Sequence, residues 1–166
     1  MDNLELLKLR RSIRVFQKKQ IPRRKLEEIV NIARFAPTAR NVQPWEFVVV
    51  TDKQKLAAFA ALAENARFLA QAAACIVVFC AETKYYLEDG CAATCNILLA
   101  AAALGIVSCW VAGDKKSYGE EVKSILGAPS GMKLVSLVAL GYPQDKDVSK
   151  DIAKRQLKEL IHWEKF

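Results

Sequence analysis

Apolar residues recur along this chain in two rhythms, one helical and one of short unbroken runs, and together they predict an order of elements. Leu4 to Leu9 reads as a short amphipathic helix. Ile21-Pro22 opens a second helix, since proline suits the first helical position. Leu26, Ile29, Val30, Ala33 and Phe35 or Ala36 then follow at helical spacing, and Pro37 stops it. Glu46 to Thr51 is a first strand, followed by a helix from Lys53 to about Leu62 and a helical stretch around Asn65 to Gln71. Ala74 to Cys80 is a second strand. An Ala-rich helix runs from about Tyr85 to Leu104, with Gly105 placed as its left-handed cap. Ile106 to Ala112 makes a third strand, Gly119 to Leu126 a short helix, and Leu134 to Leu140 a fourth strand ended by Gly141-Tyr142-Pro143. A last helix, Asp151 to His162, closes the chain.

Four short apolar strands separated by helices require a sheet covered on both faces. With 166 residues the chain is expected to form a single domain over residues 1–166. From Gly90 to Gly113 there is no charged residue, and this stretch meets the ~20-residue length of a bilayer span. Its Ala content, the interruptions at Thr94, Asn96 and Ser108, and the division at Gly105 read instead as a buried helix followed by a buried strand. The second half of that helix is apolar all round, so it belongs inside the fold or inside a subunit contact. The small residues Ala100 to Ala103 suit either.

Composition changes this picture little: 52% apolar and 26% charged residues are ordinary for a globular protein. The N-terminus has acids where a signal peptide needs bases. The five cysteines (Cys75, Cys80, Cys91, Cys95, Cys109) are an odd number set in apolar runs, which fits free thiols in a reducing cytoplasm. Cys91 and Cys95 share a helix face, but the only histidine is His162, so a metal site or a His-based triad is not expected. Charge matters more. Between Lys8 and Leu26 lie nine of the basic residues and no acidic one, within a net charge of +7. This is a solvated basic face with a phosphate site or, as a minority reading, a nucleic-acid surface without any accompanying motif.

Two stretches carry the candidate chemistry. Arg10-Arg11-Ser12-Ile13-Arg14 packs three guanidiniums and a hydroxyl into five residues, and guanidinium forks match phosphate oxygens. Ala36-Pro37-Thr38-Ala39-Arg40-Asn41-Val42-Gln43-Pro44-Trp45 is a polar, proline-bounded loop, and Trp45 at its end is a candidate wall for a flat aromatic ligand. Together they point to a phosphorylated aromatic cofactor. These same residues resemble the nitroreductase family of FMN-dependent oxidoreductases, with the likeness running from about Leu4 to Trp163.

The resemblance implies an α+β fold, a mixed central β-sheet wrapped by helices and dimerised through a long central helix. It implies that Arg10, Arg11, Ser12 and Arg14 hold the FMN phosphate and ribityl chain and that Arg155, in the last helix, reaches the same phosphate. A surface charge is the alternative for Arg155. Pro37, Thr38, Ala39 and Asn41 would line the partner subunit's flavin, although Asn41 could equally cap a turn. Asn65 sits where relatives contact the flavin's pyrimidine edge. Ala112 and Gly113 would give backbone contacts to the ring, or Gly113 is an ordinary strand-end glycine. Arg40 departs from the small residue common in the family and would attract an anionic group of a nicotinamide donor or an acidic substrate.

With no GxGxxG or P-loop lysine motif, NADH or NADPH is expected as a transient donor. The implied reaction passes hydride through flavin N5 to a small-molecule acceptor, a nitroaromatic, quinone or similar, without a catalytic side chain. The alternatives are another reaction on the same scaffold (dehalogenation, flavin ring cleavage, enone reduction), or a flavin- or nucleic-acid-binding module without turnover.

Overall fold

The structure is a computed structural model, and it describes residues 3–144 and 153–166. Its elements are α1 (Asn3–Leu9), α2 (Arg23–Ala33), β1 (Trp45–Val50), α3 (Lys53–Leu62), β2 (Ala74–Ala81), α4 (Tyr86–Ala103), β3 (Val107–Ala112), α5 (Gly119–Leu126) and β4 (Met132–Gly141). Most lie within a residue or two of their expected places. The strands form one sheet in the order β1-β2-β4-β3, antiparallel at each ladder. Its parallel component is the isolated bridge between Ser12 and Ser108, at the outer edge of β3.

Both faces of the sheet are covered, as the unbroken apolar strands require. Along β2, Ile76, Val78 and Cys80 face α2 and α4, while Cys75, Val77 and Phe79 face α3, α5 and the 3-10 segment Glu64–Gln71. The period-2 alternation of a strand thus splits one hydrophobic run between two cores. The β2–β4 register shifts at Val78/Phe79, where Val78 pairs with Ser136 and Phe79 with Leu134, leaving Val135 as the extra residue of a bulge. The charge-free stretch divides as expected into α4 and β3. Gly105 (φ +70°) caps α4, with its own N–H donated to Ala102 O and the N–H of Ile106 donated to Ala101 O, the paired bonds of a Schellman motif. Among the described residues no helix is long and apolar enough to cross a membrane.

Three expectations change. The stretch Glu64–Gln71 is 3-10 rather than α, kinked at Ala66. Trp45 does not wall a ligand: it is 7% exposed in β1, packed in the α2–α4 core beside Phe47. A strand's first residue can point either way, and here the pleat turns Trp45 inward. The closing helix expected over Asp151 to His162 begins outside the described residues, and from Ala153 onward only the 3-10 turn Leu157–Glu159 is present. Leu157, Leu160 and Ile161 carry the helical spacing but are exposed. A short helix with no core to pack against is marginal in water.

Candidate functional site

The arginine motif is fastened to the sheet. The Ile13 N–H donates to Ser108 O (2.9 Å), so residues 12–13 lie against the outer edge of β3. Extended backbone sends alternate side chains to opposite sides, and this separates the arginines. Arg10, Ser12 and Arg14 all act on Cys109: burial pushes its thiol pKa up, and the charges of Arg14 and Arg10 with a Ser12 hydrogen bond pull it back. Arg14 also stacks over the Phe68 ring at 5.7 Å. Arg11 donates to the carbonyls of Lys8 (3.0 Å) and Arg10 (3.3 Å), tying down the last turn of α1. Among the described residues, neither Arg10 nor Arg14 pairs with a carboxylate. Two guanidiniums grouped in this way repel each other until an anion joins them. A phosphate with about −1.5 to −2 charge is suited to that place, so the residues present fit an FMN phosphate.

β3 is an edge strand. With Gly113 N–H donated to Val135 O (2.9 Å), the ladder leaves Ser108, Trp110 and Ala112 facing outward. Ser108 takes the arginine motif, and the Ala112 carbonyl takes the Tyr118 hydroxyl. From Ser108 to Ala112 an extended strand covers about 13 Å, with the Ser108 and Ala112 carbonyls occupied and the Trp110 carbonyl between them 3.9 Å from the Cys109 thiol sulfur. Gly113 is required by the sheet itself: a Cβ there would lie 2.6 Å from Leu134 Cγ and 3.0 Å from the Val135 backbone. Asn65 is exposed, three positions before the Phe68 that carries Arg14. Arg155 precedes the 3-10 turn and is not in a helix. It donates to Glu159 O (3.1 Å), with its Nε 3.7 Å from that carboxylate, and is not brought to the other arginines.

The loop after α2 is organised by a residue outside the sequence-based candidates. Asp89, 5% exposed in the first turn of α4, accepts from Thr38 Oγ1 (2.9 Å) and from the Ala39 N–H (3.2 Å). Thr38 Oγ1 in turn accepts from Gln43 N–H (3.1 Å), and Gln43 Nε2 donates to Asn41 Oδ1 (3.1 Å). Arg40, Asn41 and Gln43 have φ of 55°, 56° and 52°, a left-handed setting uncommon outside glycine. Asn41 does serve the turn, and Pro37 lies exposed at its entry. The one advance signal for Asp89 was an acid in the first turn of an apolar helix, where the helix dipole favours it. Two clefts of about 800 and 740 Å³ lie around Gln20, Lys53 and Ala73. Arg10 and Arg11 line another of about 480 Å³ with Val107 and Ser108.

A sheet covered by helices on both faces, with Arg10, Ser12 and Arg14 at its β3 edge, defines the class as an α+β protein whose edge cations suit an anionic ligand. Comparison with known proteins makes this particular. The family model described as "Nitroreductase family" matches residues 7–79, and that described as "Putative TM nitroreductase" matches residues 53–165. A protein of Archaeoglobus fulgidus named "Putative NADH dehydrogenase/NAD(P)H nitroreductase" is 37% identical, over 98% of both chains. The solved structure of an FMN-dependent nitroreductase from Clostridium difficile R20291 superposes with a TM-score of 0.88 at 27% identity, covering 98% of this chain and 99% of that one. Human iodotyrosine deiodinase 1 is 26% identical over 95% of this chain and 66% of its own length. The chain belongs to the nitroreductase family of FMN-dependent oxidoreductases.

Proposed function

We propose that the protein is a homodimeric FMN-dependent NAD(P)H oxidoreductase acting on nitroaromatics, quinones or similar electron-poor acceptors. The observation that carries this reading is the grouping of Arg10, Ser12 and Arg14, two guanidiniums without carboxylate partners, at the head of the outer edge of β3. When bound, FMN supplies the redox chemistry, taking hydride from NADH or NADPH and passing it to the acceptor. The protein's part is to bind and orient. Arg10 and Arg14 would hold the phosphate by charge, Ser12 would add a hydroxyl, and the outward backbone of Trp110 with the Ala112 N–H would serve the ribityl chain and ring. Asn65 approaches the pyrimidine edge from the Glu64–Gln71 segment. No side chain is assigned a proton-transfer step.

A second copy is part of this reading. Leu4, Leu7 and Leu9 on α1, Ile32 and Phe35 at the end of α2, Val42, and Trp163 and Phe166 in the C-terminal arm are large apolar side chains left exposed by one chain. Monomers rarely leave so much apolar surface in water. The outward side of α4 carries Cys95 and Ala103, small enough for close helix approach. In the dimer α4 packs on its partner, Pro37, Thr38, Ala39 and Asn41 line the partner's flavin, and Arg155 reaches a phosphate that its own subunit does not offer it.

The test is FMN binding. Arg10→Ala with Arg14→Ala removes two charge-assisted contacts of at least about 1.5 kcal/mol each, so FMN affinity falls by roughly 100-fold. Riboflavin, which lacks the phosphate, binds both proteins alike. Purified wild type is yellow and bleaches with NADH or NADPH under anaerobic conditions. Undiminished FMN affinity in the double variant refutes the assignment. The likeness to iodotyrosine deiodinase 1 favours a second reading, reductive dehalogenation, which halide release from a halogenated phenol would reveal.

A further inference from the structure

The strained loop, whose Ala39 lines the partner's flavin in the proposal above, also walls a small cleft with Val42 at its rim. Arg40 from the loop and Thr83, Lys84 and Tyr85 from the turn before α4 line it, with Ala39 and Asp89, around about 190 Å³. Its chemistry is uneven. Among the described residues neither Arg40 nor Lys84 has a carboxylate partner, and Lys84 Nζ stands 5.2 Å from the centroid of the Tyr85 ring. Of the nearby acids, both Asp89 oxygens accept from Thr38 and Ala39 and Glu82 pairs with Lys133 at 3.1 Å, while Glu88 in the first turn of α4 stands exposed.

Two further observations mark the cleft as a ligand site. Thr83 Oγ1 is buried without a hydrogen-bond partner, the one such side-chain atom among the described residues. A buried hydroxyl left unpaired is costly and calls for an explanation. Arg40, for its part, holds φ 55° and ψ 24°. Glycine or asparagine would take that backbone with less strain, so local folding gives no reason for a long cation there. A strained residue that the fold does not require belongs to a site.

We propose that this cleft is an oxyanion subsite for the electron acceptor, receiving a carboxylate, sulfonate or phosphate substituent. Arg40 and Lys84 hold it by charge and Thr83 by a donated hydrogen bond. The proposal rests on the flavin-reductase reading above and narrows its substrate class to acceptors that carry an anionic group. The cleft is smaller than the ~300–1,000 Å³ of a site that encloses a whole ligand. It therefore takes the substituent and leaves the reducible ring outside, beside the flavin.

A matched pair of acceptors tests this, 4-nitrobenzoate and its methyl ester, with FMN-loaded protein and NADH or NADPH. Arg40→Asn keeps a residue that tolerates the left-handed backbone. It should lower the ratio of kcat/KM for acid over ester by about tenfold, the usual scale for one charged hydrogen bond. Lys84→Gln, on a separate turn, should lower the same ratio severalfold. Thr83→Val should lower it too without lowering Tm, because valine replaces a hydroxyl that the free protein leaves unpaired. An unchanged ratio in all three variants overturns the subsite. So does a loss confined to NADH or NADPH saturation, which would give the anion to the donor's phosphates. Wild-type protein whose flavin fails to bleach with either donor refutes the oxidoreductase reading itself and takes this proposal with it.

Discussion

Replacing Asp89 with alanine probes the device that sets the 38–43 loop. The carboxylate accepts two hydrogen bonds from that loop, at 2.9 and 3.2 Å, from a position 5% exposed. Bonds to an ionised acceptor contribute about 1.5–3 kcal/mol each, and the half-buried loop puts these at the low end, ~3 kcal/mol together. Against them stand three left-handed residues, Arg40, Asn41 and Gln43, each storing ~1 kcal/mol or more. The two sums are alike, so the loop is held in place by Asp89 and would leave its conformation without it. Relaxation returns part of the loss, leaving a net destabilisation of about 2 kcal/mol, or roughly 4–8 °C in Tm for a chain of this size. Asp89→Asn keeps one acceptor for the Ala39 N–H and should lose about half as much. Hydrogen exchange at Ala39 should accelerate, and the proposed place of the loop in the partner's flavin site adds a fall in FMN affinity. A variant with Tm within 1 °C of wild type, a protected Ala39 amide and unchanged FMN binding would refute this account.

Three other outcomes follow from the same geometry. Gly113→Ala forces a Cβ to within 3.0 Å of the Val135 backbone, which cannot swing aside; it should cost about 2–3 kcal/mol in chemical denaturation, and near-neutral stability would contradict the packing. Alkaline pH should weaken the fold. Burial pushes Cys80 from 9.0 up to about 12, and the hydrogen bond to Asp114 carries Tyr86 from 10.0 to about 12. A raised folded pKa gives stability that is whole below the unfolded value and lost as pH climbs toward the folded one. Unfolding free energy should therefore decline from about pH 9 upward, less steeply in Cys80→Ala and Tyr86→Phe; a flat profile would deny it. Finally, Ala103→Glu on the outward end of α4 should convert a dimer to monomer in sedimentation and release FMN with it, and a wild type already monomeric would remove the dimer from the proposal.

The limits of the sequence can be stated residue by residue, and they share one cause. Elements whose pattern answers to this chain's own core were legible: β2 and β4 as unbroken apolar runs, α4 and its Gly105 cap, the arginine motif through its local density of charge. Asp89 was not, because its partners Thr38 and Ala39 lie some fifty residues away and their meeting is settled only by how α4 docks on the sheet. For Gly113 the sequence leaves a flavin-facing backbone and an ordinary strand-end glycine both open; the neighbour that requires it is the Val135 bulge, a two-strand feature with no single-strand signature. The C-terminal helix failed for the opposite reason. Leu157, Leu160 and Ile161 repeat at helical spacing, yet one chain provides nothing for that stripe to cover. Arg155 lies in the same segment, its guanidinium donating to Glu159 O. If those residues answer to a second copy, their pattern was sound and the partner was what a single chain lacked. In the assembled protein, protease should then spare the segment after Ala153, and in the Ala103→Glu monomer it should cut there first.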